Sequence, residues 1–229
     1  MSQMDLDLAI RMRKRPDLFE LRLDHLVRPH SVAAATCGAT DIVDELEEKV
    51  SRLRAPLIVT ARHPQEGGAN KLNLRQRGDL LSRFLPHARY IDIELRSAAA
   101  LHSLSQLARK KNVRRIISFH NLQATPHLSR LQFKARRAKS LGADIFKVAT
   151  RTDTPAQLAR LLDFITNKDL DLAVSAMGIG KLGAISRVLL ADRGSVLLYG
   201  SVSAASDIEG QMSLEQLRAF GIGSRTRVF

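Results

Sequence analysis

Short strand-like segments alternate with amphipathic helical segments along the chain, and this alternation limits the fold more than any other feature. Helical periodicity fills stretches such as DIVDELEEKVSRLR and NLRQRGDLLSRFLP. The predicted strands are LFELRLDHL, PLIVTARH, RYIDIEL, RRIISFHNL, DIFKVAT, DLAVSAM and SVLLYGS. Because strands that alternate with helices run parallel, the pattern predicts an α/β fold with a parallel sheet.

Residues 1–229 are predicted to form a single domain, because no Pro/Gly/Ser-rich linker or low-complexity segment interrupts the alternation. The length and the 45% hydrophobic fraction are ample for one packed core. Seven successive strand–helix units in one domain favour a (β/α) barrel of the TIM type.

Composition narrows the class of function. The formal charge of +13 attracts anions, whether small carboxylates, phosphates or nucleic acid. Aromatic residues make up only 4% of the chain and tryptophan is absent, which disfavours dedicated nucleic-acid binding.

Cys37 is the one cysteine, so an internal disulfide is excluded. No apolar run of membrane-spanning length and no signal-peptide pattern occur, so we expect a cytoplasmic protein that does not enter a membrane.

Ionisable residues recur on single faces of the predicted strands, although strands buried on both faces usually read as continuous apolar runs. If the apolar faces pack against helices, the polar faces converge inside the barrel, and the residues near the strand C-termini reach the mouth. The residues concerned are Glu20, Arg22 and Asp24; Arg62; Asp92 and Glu94; Ser118 and His120; and Lys147.

Lys147 is the most informative of these residues, because it interrupts the apolar strand GADIFKVAT. Alternation places Lys147 with Ile145 and Ala149 on one face, and Phe146 and Val148 on the other. Burying an ammonium without a function is costly. A low-polarity site favours the neutral amine, which can attack a carbonyl and form an imine. We therefore expect Lys147 to be a nucleophile.

The order of several motifs resembles type I 3-dehydroquinate dehydratase, the Schiff-base lyase of the shikimate pathway and aromatic amino-acid biosynthesis. The motifs span residues 20–213 and are ELRLD, TARHPQEGG, DIEL, SFHNLQATP, GADIFKVA, MGIGKLGAISR and EGQMS. The resemblance implies dehydration of 3-dehydroquinate to 3-dehydroshikimate, with no metal and no organic cofactor.

The same resemblance implies particular roles. Lys147 forms the imine, His120 is the general acid/base and Glu66 orients that histidine. Arg187 receives the carboxylate of the anionic substrate, and family members are often homodimers. Asp92 and Glu94 support the site, while Asp24 and Ser186 are expected to be structural. The remaining implied substrate contacts are Glu20, Arg22, Arg62, Ser206 and Gln211.

Two departures from the family pattern affect these expectations. The strand that usually precedes the E-x-R strand is missing, and MDLDLAIRMRKR reads as a helix, so seven strands are readable. In the lid run SDIEGQ, either Ser206 or Asp207 stands where the family has a serine. Two alternatives therefore stay open: another Schiff-base lyase or aldolase with a changed substrate, or a non-catalytic basic scaffold that binds polyanions.

Overall fold

The computed structural model describes residues 3–28, 40–166, 170–202 and 208–222. The chain forms two compact units, Met1–Ile116 and Ile117–Phe229. Within the described ranges, no helix is both long enough and apolar enough to cross a membrane.

The described residues of the first unit include three complete parallel strands. In their register Arg22 lies beside Thr60, and Thr60 beside Asp92, so the C-terminal parts of the strands are adjacent. The elements are α1 Gln3–Arg11, β1 Phe19–Arg22, α2 Leu23–Leu26, α3 Thr40–Ser51, β2 Leu57–Thr60, α4 Leu74–Phe84, β3 Ala88–Glu94 and α5 His102–Lys110. Strand β4, Arg114–Asn121, begins in this unit and ends in the second.

Local sequence signals explain why these elements form where they do. Helix α4 begins with a capping box in which Asn73 and Gln76 exchange side-chain-to-backbone hydrogen bonds. The same helix buries Leu81 and Phe84 on one face, as its periodicity predicts. The helix predicted in the N-terminal segment is confirmed as α1.

The second unit has the same βα organisation. Strands β5 and β6 pair in parallel, with Lys147 beside Ser175 and Arg151 beside Ile179. The elements are α6 Leu128–Ser140, β5 Ile145–Arg151, α7 Pro155–Thr166, β6 Ala173–Ile179, α8 Gly183–Asp192 and α9 Leu214–Ala219. Phe146 packs edge-on against Phe164 of α7, with 6.1 Å between ring centroids. Alternation therefore directs Lys147 away from that helix, as predicted.

The predicted α/β class is confirmed, but the predicted count of seven strands is wrong: the described residues form six. The segment SVLLYGS at residues 195–201 is not a strand. Side-chain hydroxyls share the contacts of this segment with β6: Ser175 Oγ donates to the Leu197 carbonyl and Ala176 N donates to Ser195 Oγ, beside a backbone hydrogen bond from Val196 N to the Val174 carbonyl. Leu198 nevertheless packs into a buried apolar cluster with Leu217, which explains the apolar pattern.

Two further expectations about strands are corrected. Strand β1 ends at Arg22, so Asp24 lies in helix α2 and does not share a strand face with Glu20. Strand β2 ends at Thr60, so Arg62 lies beyond its C-terminus. In both cases the strand ends at or near an arginine that forms an ion pair, Arg22 with Asp24 and Arg62 with Asp92.

Candidate active site

Arg62 is the centre of a charged cluster in the first unit. The guanidinium is 2% exposed and donates to Asp92 at 2.8 and 3.1 Å and to Glu94 at 3.3 Å. Glu20 lies 3.9 Å from Arg62 Nη2 and accepts a hydrogen bond from Thr60 Oγ1. Burial alone would lower the pKa of Arg62, but the facing carboxylates of Asp92 and Glu94 raise the pKa above its ordinary value.

Arg77 is a second buried arginine of this cluster, and it was not among the predicted site residues. Its Nη1 donates to Glu94 Oε2 at 2.6 Å and its Nη2 to Ser97 Oγ at 2.9 Å. Its Nε has no hydrogen-bond partner within the part of the chain that the structure describes. The signal was available, because Arg77 occupies the buried face of helix α4 with Leu81 and Phe84.

Arg22 and Asp24 form the other part of the cluster. Arg22 donates to both Asp24 oxygens, at 2.9 and 2.8 Å, and to the Gly67 carbonyl. Asp24 also accepts from the backbone N–H groups of Arg62 and Ala69, both at 3.1 Å. Burial would raise the pKa of Asp24, but these donors and the charge of Arg22 lower it below the ordinary value. Asp24 thus ties three segments together, which fits a structural role.

Glu66 ends a short 3-10 helix, Pro64–Glu66, and its side chain is nearly buried. Arg96 Nε lies 3.9 Å from Glu66 Oε1. The turn that carries Glu66 is fixed by a hydrogen bond of 2.8 Å from His63 N to Glu94. A side chain at Gly68 would collide with the Arg62 carbonyl, so only glycine fits this turn.

Lys147 is 3% exposed in the middle of strand β5. Its Nζ lies 3.9 Å from the centroid of the Tyr199 ring. His120 lies near the end of β4 and is half-buried. The loop after β4 is anchored by Asn121, whose side chain accepts from Gln123 N and Ala124 N. The second unit therefore holds a buried amine and a half-buried imidazole.

Arg187 on helix α8 is buried among carbonyl groups. It donates to the carbonyls of Tyr199, Gly178, Gly183 and Gly210 at 2.8–3.1 Å. No carboxylate of the described residues lies within ion-pair distance of it. Burial lowers the pKa of Arg187 to about 10, which leaves the guanidinium charged at neutral pH. A buried cation held only by dipoles is suited to receive an anion.

The backbone beside Gln211 is fastened to the strand ends of the second unit. Arg151 donates to Asp153 at 2.6 Å and to Glu209 at 3.0 Å, and Gly180 N donates to the Glu209 carbonyl. Gly210 has a φ of 75° and packs tightly on Gly180. Gln211 is half-buried and follows directly. Ser206 and Asp207 lie outside the described residues.

The structure thus groups the predicted residues within each unit. Glu20, Arg22 and Arg62 share one charged cluster in the first unit, and Lys147 and Arg187 share contacts with Tyr199 in the second. Tyr199 was not predicted as a site residue, because its segment SVLLYGS reads as an apolar strand. Among the described residues, no group of three or more His, Cys, Asp or Glu side chains is arranged to hold a metal ion.

These features define a class: an α/β protein of parallel βα units with a buried amine and a buried guanidinium that pairs with no carboxylate of the described residues. The model of type I 3-dehydroquinase matches residues 1–220, and the chain belongs to that family. The family resemblance found in the sequence is thereby confirmed, and with it the expectation that the chain is an enzyme of this type.

Curated relatives agree with this membership. The chain is 31% identical to a 3-dehydroquinate dehydratase of Thermodesulfovibrio yellowstonii over 204 residues, which is 89% of this chain and 84% of that protein. It is also 31% identical to the enzyme of the same name from Pyrococcus abyssi over 206 residues, covering 88% and 85% of the two chains.

Solved structures agree on the fold. The type I 3-dehydroquinate dehydratase of Clostridium difficile has a TM-score of 0.81 at 24% identity, covering 95% of this chain and 84% of that one. The 3-dehydroquinate dehydratase of Aquifex aeolicus has a TM-score of 0.75 at 27% identity, covering 95% and 91%.

Proposed function

We propose that this chain dehydrates 3-dehydroquinate to 3-dehydroshikimate through an imine on Lys147. The observation that carries the proposal is a lysine buried in a parallel strand, within the same unit as a buried arginine whose partners among the described residues are carbonyl groups. A cyclic keto acid can be bound at both of its functional groups here, its ketone by the amine and its carboxylate by the guanidinium. The relatives named above carry the corresponding activity in their names.

The chemistry follows from the amine. The Lys147 ammonium gives up a proton, its Nζ attacks the ketone of the substrate, and the proton returns as the former ketone oxygen leaves as water, so that ammonium and ketone give a protonated imine and water. This cationic nitrogen withdraws electrons, so the α proton can be removed and the β-hydroxyl group can leave. Hydrolysis of the imine then releases the enone product and restores the amine. The protein's own side chain supplies the electron sink, and the mechanism uses no metal or organic cofactor.

His120 is proposed as the group that takes the α proton and later protonates the departing hydroxyl. Imidazole ordinarily titrates near neutral pH, which suits both tasks. The loop after β4 is fixed by the Asn121 hydrogen bonds, so the end of the strand that carries His120 is anchored. Glu66 is proposed to orient His120, and the rigid glycine turn supports a fixed position for Glu66.

The remaining predicted residues are proposed to bind substrate. Arg187 takes the carboxylate as a planar donor. Glu20, Arg22 and Arg62 contact the ring hydroxyls or shape that end of the pocket, and Arg62 also pairs with Asp92 and Glu94. Gln211 is proposed to cover the bound substrate, and Ser206, which lies outside the described residues, stays a predicted substrate contact.

The wider expectations follow from the same proposal. The βα units are proposed to belong to a TIM-type (β/α) barrel. The Schiff-base lyase is proposed to act in the cytoplasm on a small anionic substrate, as a homodimer, without a dedicated nucleic-acid partner.

Borohydride trapping tests the proposed chemistry. The chain is incubated with 3-dehydroquinate, reduced with borohydride, and its mass is measured intact and after digestion. We expect a stable adduct on the Lys147 peptide and growing enone absorbance in an unreduced sample. Lys147→Ala should lose both. Lys139→Ala is the matched control, because Lys139 is an exposed lysine paired with Asp171 at 2.8 Å.

Other outcomes distinguish the alternatives. An adduct without enone absorbance would favour another Schiff-base lyase or aldolase with a changed substrate. Absence of both signals in the unmodified chain, together with salt-sensitive retention of polyanions, would favour a non-catalytic basic scaffold.

A further inference from the structure

Tyr199 contacts two of the groups that the proposed reaction uses in the second unit, Lys147 and Arg187. The face of its ring lies over Lys147, with 3.9 Å between Nζ and the ring centroid. Its backbone carbonyl accepts a hydrogen bond of 3.1 Å from Arg187 Nε. Lys147 lies on β5 and Arg187 on α8, so one residue connects two side chains from different elements.

The ring contact has a chemical consequence. An aromatic face carries partial negative charge and attracts a cation within about 6 Å of the centroid. The imine formed on Lys147 must be cationic to withdraw electrons, and its nitrogen is the atom that Nζ supplies. A ring in this place therefore stabilises the intermediate and the transition states on either side of it, as long as the nitrogen stays over the ring.

The segment around Tyr199 is held on both sides of the residue, which fixes the backbone that carries the ring. Leu198 is buried in an apolar cluster with Leu217, and a side chain at Gly200 would approach Leu217 Cδ1 to 2.8 Å. Ser201 N donates to the Met212 carbonyl at 3.0 Å. Residues on both sides of Tyr199 are therefore packed or hydrogen-bonded within the second unit.

We infer that Tyr199 is a positioning residue that holds the imine nitrogen over its ring and fixes the separation between that nitrogen and the guanidinium of Arg187. The separation selects keto acids whose ketone and carboxylate are spaced to reach both groups. This inference rests on the proposed imine chemistry and adds a residue that the site prediction did not contain.

A series of fluorinated side chains tests the ring contact without changing its shape. Tyr199 is replaced by phenylalanine and by phenylalanine carrying one, two or three ring fluorines, which progressively weaken the attraction for a cation. Borohydride-trapped adduct, kcat and KM are measured for each. We expect Tyr199→Phe to retain activity within about threefold, and kcat and trapping to fall stepwise by about tenfold across the series while KM changes little.

The second tyrosine of the chain supplies the control. Tyr90 on β3 lies against Arg114, with 5.5 Å from the guanidinium carbon to the ring centroid, and belongs to the first unit. The same fluorinated series at Tyr90 should leave the trapping rate unchanged. Tyr199→Met, which removes the ring but keeps an unbranched apolar side chain, should trap adduct no faster than the trifluorinated variant, with thermal unfolding checking that it is folded.

The outcomes separate this inference from the proposed function. If the unmodified chain forms no adduct, the imine mechanism fails and the inference falls with it. If the unmodified chain forms adduct but the fluorinated series at Tyr199 is flat, Tyr199 acts only by filling space and the inference alone is overturned. A stepwise fall in kcat with constant KM supports it.

Discussion

Arg62 and Arg187 are equally buried, each 2% exposed, yet their surroundings are opposite. Arg62 faces Asp92 and Glu94, whose charges raise its pKa above the ordinary value. Arg187 faces four carbonyl groups, and burial lowers its pKa to about 10. The first arginine has its charge balanced within the protein, whereas the charge of the second is balanced by no carboxylate of the described residues.

Arg62 is therefore suited to a structural role, whereas Arg187 is suited to bind an anion. A buried ion pair is costly to break, because the remaining partner is left charged and desolvated. A buried cation surrounded by dipoles has the desolvation cost without the compensating ion pair, and a bound anion would supply that partner. Substitution of Arg62 should therefore mainly lower stability, and substitution of Arg187 should mainly weaken substrate binding.

The largest expected effect on stability is that of Arg62→Met. Removal of the guanidinium leaves Asp92 buried without its arginine partner, while Glu94 keeps its pair with Arg77, and we expect a loss of about 3–5 kcal/mol in the free energy of unfolding. Urea denaturation measures the change. Arg75→Met is the control, since Arg75 is exposed and its pair with Asp79 should change stability by about 0.5 kcal/mol or less. A loss at Arg62 as small as that at Arg75 would contradict the assignment.

Arg187→Met should instead affect substrate binding more than stability. The carbonyls that Arg187 serves lose a donor, which costs about 1–3 kcal/mol of unfolding free energy. Loss of the carboxylate contact should raise KM by about 100-fold. Steady-state kinetics on 3-dehydroquinate and urea denaturation of the same sample measure both quantities. An unchanged KM in a folded variant would remove Arg187 from the substrate site.

The contribution of Asp24 to the free energy of unfolding should depend on pH. Its pKa is lowered in the folded chain, so its stabilisation is present above the unfolded value near 3.8 and is lost as pH falls through the lower folded value. Asp24→Asn should lower the unfolding free energy at pH 7 by about 1–3 kcal/mol. The gap from the unmodified chain should narrow below about pH 4, as measured by denaturation at several pH values. A gap independent of pH would indicate lost packing rather than lost charge.

The sequence predicted the βα alternation, the helix in the N-terminal segment and the buried position of Lys147, because each depends on local periodicity. It did not predict that residues 195–201 avoid strand structure, since the hydroxyls of Ser175 and Ser195 satisfy the backbone only after the fold has formed. The role of Tyr199 was likewise not predictable from local sequence. Its importance depends on contacts with Lys147 and Arg187, which lie 52 and 12 residues away in the sequence.

The smallest expected effect concerns Glu209, which lies next to a carbonyl that Arg187 binds. The ion pair from Arg151 to Glu209 is exposed, so it is screened by salt and contributes little alone. Because Gly210 connects this pair to Arg187, Glu209→Gln should raise KM by at most about threefold at low salt, with kcat unchanged. At about 0.5 M salt the unmodified chain and the variant should have the same KM, since screening already weakens the pair. A KM difference that persists at high salt would contradict a role for the charge of Glu209, because Glu209→Gln leaves the backbone hydrogen bond from Gly180 N in place.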